Sequence, residues 1–129
     1  MAYNTPGIAD AVGATITVAA EDTNVRQILV QLTDAAGNAI DYIETVTLIV
    51  FLNAARTAFV VTGGTTGIEL GAGGQGAILA LVAKKVFLAT TEVNGQLDLK
   101  WTDTGTEAAF LGVQLPTGEV VMSSALTNA

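Results

Sequence analysis

From Val25 onward the chain alternates apolar and polar residues with a period of two, and this alternation constrains the fold more than any other feature. Successive side chains of a strand point to opposite faces, so a period of two marks a strand with one buried side. In VRQILVQLT, residues 25–33, Ile28, Val30 and Leu32 share one face, and Gln27, Gln31 and Thr33 the other. In TVTLIVFLN, residues 45–53, Val46, Leu48, Val50 and Leu52 lie on one side, with Ile49 and Phe51 opposite. Both faces of that segment are apolar. It suits a central strand covered on both sides, or a strand whose outer face meets a partner. RTAFVVTGG, residues 56–64, predicts one more short strand.

The second half repeats the pattern. Asn94-Gly95 stands between two alternating runs and predicts a hairpin with a type I′ turn, because these residues accept positive φ. After it, Leu97, Leu99 and Trp101 point one way, and Asp98, Lys100 and Thr102 the other. Two further strands flank Pro116-Thr117-Gly118. In residues 77–87, Ile78, Leu81, Val82 and Val86 also fall at helical spacing, yet the β-rich surroundings favour strands. Residues 63–76, rich in glycine, read as a long flexible loop.

Residues 1–24 lack this order. Pro6, Gly7 and Gly13 interrupt the start, and ATITVAA, residues 14–20, alternates only briefly before EDTN breaks it. They read as an N-terminal arm with room for one short strand. Residues 25–129 read as one domain. About seven short strands with turns between them predict an all-β fold, a β-sandwich. The corners DAAGN, EVNGQ and PTGE echo one another as apolar strand, polar corner, glycine, apolar strand.

Composition narrows the function. Cysteine and histidine are absent, which removes disulfides, thiol chemistry, the commonest general base and the commonest neutral metal ligand. The net charge of −7 argues against nucleic acid as a partner. Half the residues are hydrophobic and 13% are charged, a balance that favours burial of surface against another molecule. No apolar run approaches the roughly 18 residues of a membrane span, and no membrane partner is expected. The first residues lack a basic stretch followed by an apolar core, so no secretory signal is read and synthesis in the cytoplasm is expected.

Candidate chemical groups each have a structural reading. Asp34, Gly37 and Asn38 lack the alternating carboxylates and final glutamate of a calcium loop, and read as a corner. Asp103 and Glu107 in TDTGTE read the same way. GAGGQGA, residues 71–77, lacks the Lys-Ser/Thr of a phosphate loop. Ser123 and Ser124 have no histidine to activate them, and Lys84-Lys85 reads as a solvated strand end. Trp101 reads as core. Tyr3, Tyr42 and Trp101 are too few for a sugar platform. No catalytic, cofactor-binding or metal residue is assigned, no cofactor is expected, and function is sought in surfaces.

The stretches VRQILVQLTDAAGNAIDYIETVTLIVFL, VNGQLDLKWTDTG and FLGVQLPTGEVVMSSALTNA resemble small immunoglobulin-like structural proteins of tailed bacteriophage virions. The matching features are the Asp34–Gly37 corner, the Asn94-Gly95 turn running to Thr102, and the Pro116-Thr117-Gly118 turn running to Val120. The resemblance implies an immunoglobulin-like sandwich and a non-enzymatic place on the virion, foremost a decoration or cement protein on the head surface. It further implies the major capsid protein as partner and self-association as a trimer or dimer. A tail or baseplate role, or a fimbrial or surface-layer subunit, is the alternative. Within that picture the arm, with ATITV added to a partner's sheet edge, and the 63–76 loop are expected to make the shell contacts. Ile49 and Phe51 are expected to serve self-association.

Overall fold

The computed structural model describes residues 10–129, which form nine strands and no helix. These are β1 (Gly13–Val18), β2 (Val25–Thr33), β3 (Thr45–Phe51), β4 (Gly67–Leu70), β5 (Ala77–Val82), β6 (Val86–Thr90), β7 (Gln96–Thr102), β8 (Phe110–Gln114) and β9 (Val120–Ala125). They make two antiparallel sheets, ordered β1-β2-β7-β4 and β5-β6-β3-β8-β9. β1 lies over β9 and β4 over β5, so the protein is a β-sandwich.

The alternation explains the core. Ile28, Val30 and Leu32 of β2 and Leu97, Leu99 and Trp101 of β7 are fully buried from one sheet. Val46, Leu48 and Val50 of β3 and Leu111 and Val113 of β8 meet them from the other. Trp101 is core, as its register with Leu97 and Leu99 requires, although its indole N–H has no hydrogen-bond partner.

Local order differs from the sequence expectations at four places. First, β1 pairs along its length with β2, Ile16 opposite Val30 and Val18 opposite Ile28. ATITV is therefore an edge strand of the chain's own sheet, paired on one side with β2, rather than part of a detached arm. EDTN, which breaks the alternation, is the hairpin turn. Asp22 and Val25 exchange both backbone hydrogen bonds, and Thr23 and Asn24 have φ of +52° and +69°, the I′ geometry expected at Asn94-Gly95. The remainder of the expected arm, residues 1–9, with Tyr3, Pro6 and Gly7, lies outside the described residues.

Second, Asn94-Gly95 closes no hairpin. β6 belongs to the five-stranded sheet and β7 to the four-stranded one, so the corner carries the chain between sheets. Only Gly95 takes a positive φ there, +74°. The turn signal specified a chain reversal; which sheet each arm joins is decided by buried faces, with Phe87 and Ala89 on one side of the core and Leu97 and Leu99 on the other. Third, residues 56–64 contribute no strand, only an isolated bridge between Phe51 and Phe59. Fourth, the glycine-rich 63–76 segment contains β4, paired with β7 from Gly67–Thr102 to Leu70–Leu99. Its glycines permit close packing: a Cβ on Gly64 would lie 2.9 Å from the Trp101 ring, and one on Gly71 2.6 Å from the Leu99 carbonyl. Residues 77–87 are strands, joined by a tight turn in which the Lys85 N–H donates to the Val82 carbonyl.

The three echoing corners share one geometry. Asp34 N–H donates to Asn38 O, Glu92 N–H to Gln96 O, and Leu115 N–H to Glu119 O, at 2.8, 3.0 and 2.8 Å. In each, a glycine (Gly37, Gly95 or Gly118) donates back to the first carbonyl with positive φ. That is a type I turn closed by a left-handed residue.

Candidate interaction face

The groups with chemical potential are committed to holding backbone. One Asp34 carboxylate oxygen accepts from the N–H groups of Ala36 and Asn38, both at 2.9 Å, which answers the corner reading. Asp103, buried, accepts from the N–H groups of Gly105 and Glu107. Glu107 in turn accepts from the Thr62 hydroxyl at 2.6 Å and from the N–H groups of Thr62, Gly63 and Gly64. Partial burial pushes the Glu107 carboxyl up, but these donors outweigh it and hold the group below the ordinary glutamate range. Burial, reinforced by the charge of Glu44, raises the Tyr42 hydroxyl, against a hydrogen bond with the Ala11 backbone. Ser123 Oγ accepts from Leu111 N–H and donates to Ser124 O, filling the gap left by a register shift between β8 and β9. Lys84 Nζ donates to the carbonyls of Gly64 and Thr65. Among the described residues no three acidic side chains gather as a metal-binding group.

What stands out is a surface. The five strands of the larger sheet contain no charged residue on either face. Their inner side chains build the core. Their outer side chains form rows fixed by the register. Val82, Val86, Ile49, Gly112 and Met122 make one row. Leu79, Leu88, Thr47, Gln114 and Val120 make the next, and Phe51 with Phe110 flanks them. Leu79 is 63% exposed, Val82 52% and Leu88 38%.

The face is shaped as well as apolar. Gly112 sits beneath Phe51, Val120 and Met122; a Cβ there would come within 2.7 Å of the Phe51 ring and 3.0 Å of Val120 Cγ1. Absence of that Cβ lets the Phe51 ring lie down on the sheet. Phe59 stacks beyond it, with centroids 6.4 Å apart and planes 5° from parallel. A shallow hollow at the β3–β8 end is lined by Thr45, Thr47, Gln114, Pro116 and Gly118, without a charge.

The opposite sheet behaves as an ordinary solvent face. Gln27 pairs with Lys100, Leu29 with Asp98, and Glu69 with Lys100. One fold thus presents one polar sheet and one apolar sheet, although antiparallel sheets usually place polar residues on the face turned to water.

The sequence singled out Ile49 and Phe51, and the structure turns both outward with no third layer of described residues over them. It adds Leu79, Val82, Val86, Leu88, Phe110, Val120 and Met122, which sequence reasoning missed. The signal that could have found them was the lack of charge across every one of these segments. No family model, no curated protein and no solved structure matches the chain.

Proposed function

We propose that this chain is a non-enzymatic structural protein of a tailed-phage virion, foremost a decoration or cement protein that binds the head surface through the outer face of its five-stranded sheet. The observation that carries the reading is the charge-free outer face. A charge-free, largely apolar surface with a set shape favours lasting burial against another protein. The face, rather than the 63–76 segment, takes the docking role: most of that segment is engaged with its own chain, through β4 and the close approaches at Gly63, Gly64, Gly67, Gly71 and Gly76, and only its tip at residues 72–74 is exposed.

The strand order supports the immunoglobulin-like part of the reading. β1-β2-β7-β4 corresponds to the A-B-E-D sheet of such domains, and β3-β8-β9 to C-F-G. β5 and β6 are a hairpin added beside β3, and in the chain they follow β4 rather than precede it. In this reading the partner is the major capsid protein, and copies also associate with one another.

The test is binding of purified protein to undecorated heads, with mass spectrometry of separated heads and tails to place it. Wild type should occupy heads. Leu88→Lys, at a half-exposed position in the middle of the face, should remain folded and lose occupancy at least tenfold. Recovery of the protein only in tails, or full occupancy by Leu88→Lys, would overturn the head assignment or the face, respectively.

A further inference from the structure

The five-stranded sheet ends on β5 at one side and on β9 at the other, and the β5 edge combines a lack of charge with large exposed apolar side chains. A free edge offers unpaired backbone N–H and C=O groups, and proteins commonly guard such edges with charge, proline or shortness. β4, the edge of the other sheet at this side, is four residues long and carries Glu69. β5 is AILALV, with neither charge nor proline. Ala77, Leu79, Ala80, Leu81 and Val82 are all exposed. Its one protective feature is a register shift between Ala80 and Val82.

The two ends of this edge carry opposite charge. At the Ala77 end, the Glu92 carboxylate accepts from Gly76 N–H at 2.9 Å. At the Val82 end, the turn carries Lys84 and Lys85, two of the chain's five basic residues. An antiparallel meeting of two identical edges sets the acidic end of each beside the basic end of the other. A parallel meeting would set like beside like.

We propose that the occupant of this edge is a second copy of the chain, paired antiparallel through β5 about a two-fold axis, so that two sheets become one of ten strands. An axis perpendicular to the sheet keeps both outer faces on the same side. The register must then centre on a residue, because opposite residues share a face only when their numbers have the same parity. Leu79, midway between Ala77 and Leu81, takes that place and faces its own counterpart. The row Leu79–Leu88–Thr47 then runs unbroken into the second copy, doubling the apolar face. Strand pairing alone buries less than the roughly 1,200 Å² of a standard interface, so the free dimer is concentration-dependent. This names the interface for the self-association included in the reading above, yet its test needs no shell, so the two stand or fall separately.

The chain has no cysteine, which makes cross-linking clean. Residues opposite one another in an antiparallel pair lie about 4.5–5.5 Å apart at Cα, within the roughly 4.4–6.8 Å of a disulfide. Light scattering of the wild type should show the mass rising from monomer to dimer with concentration. Under mild oxidation, Leu79→Cys should form disulfide dimers at least tenfold faster than Thr117→Cys, an exposed control on the β8–β9 turn. Ala80→Lys, at an exposed position, should keep the β circular dichroism spectrum of the wild type and remain monomeric. A wild type monomeric at all concentrations, equal rates for the two cysteine variants, or a dimer that persists in Ala80→Lys would overturn the proposal. So would Leu79→Cys that cross-links only to shell protein on particles, which would give the edge to a foreign strand.

Discussion

At the scale of single residues, two positions carry measurable consequences. Glu107 accepts from three consecutive backbone N–H groups and the Thr62 hydroxyl, tying the 62–64 segment to the corner after β7. Its carboxyl is held below its ordinary value in the folded state, so its contribution is full above the unfolded value of about 4.3. The contribution is lost as pH falls through the lower, folded value. Glu107→Gln should therefore unfold more easily at pH 7, by about 1 kcal/mol given that the group is half-exposed. Its gap from wild type should close in acid, as read by urea midpoints across pH. Thr23 is a β-branched residue at φ +52°, a conformation that such residues resist. Thr23→Asn should stabilise the protein by about 0.5–1 kcal/mol, read as a raised melting temperature.

At the scale of elements, the β1–β2 hairpin depends on the end of the chain. Asn128 Nδ2 donates to the carbonyls of Asn24 and Asp103, both at 2.8 Å, and Arg26 donates to those of Ala19 and Thr127. Asn128 is buried, so Asn128→Ala removes the side-chain donor from the Asp103 carbonyl and leaves the Asn24 carbonyl only the Asp103 N–H. It should cost about 1–3 kcal/mol, and amide exchange should quicken first in β1 and in the turn at Thr23-Asn24. Uniform quickening across all strands would show that the clasp is not local. The same scale shows why turn signals were only half informative. DAAGN, EVNGQ and PTGE form the same corner, yet only the last joins two strands paired with each other. A corner's chemistry is settled within five residues, whereas the ladder beyond it is settled by partners far along the chain.

At the scale of the whole molecule, one core serves both sheets, with the single tryptophan fully buried in it. Trp101 emission should be blue-shifted in the folded protein. Its red shift on unfolding should coincide with loss of the β circular dichroism signal, as one cooperative unit requires. Separate midpoints would mean that the sheets unfold independently.

The sequence by itself determined the strands of the core, the burial of Trp101 and the conformation of the Asp34 corner, because alternation and turn chemistry act over a few residues. It also showed that Ile49 and Phe51 form a second apolar face. Only the tertiary structure decided that β1 belongs to the sandwich, that a strand lies within the glycine-rich segment, and that β6 and β7 part company at Gly95. Only the structure, too, gathered five uncharged strands into one sheet. Strand partners are chosen by hydrogen bonding and burial between segments tens of residues apart, and no local pattern records that choice.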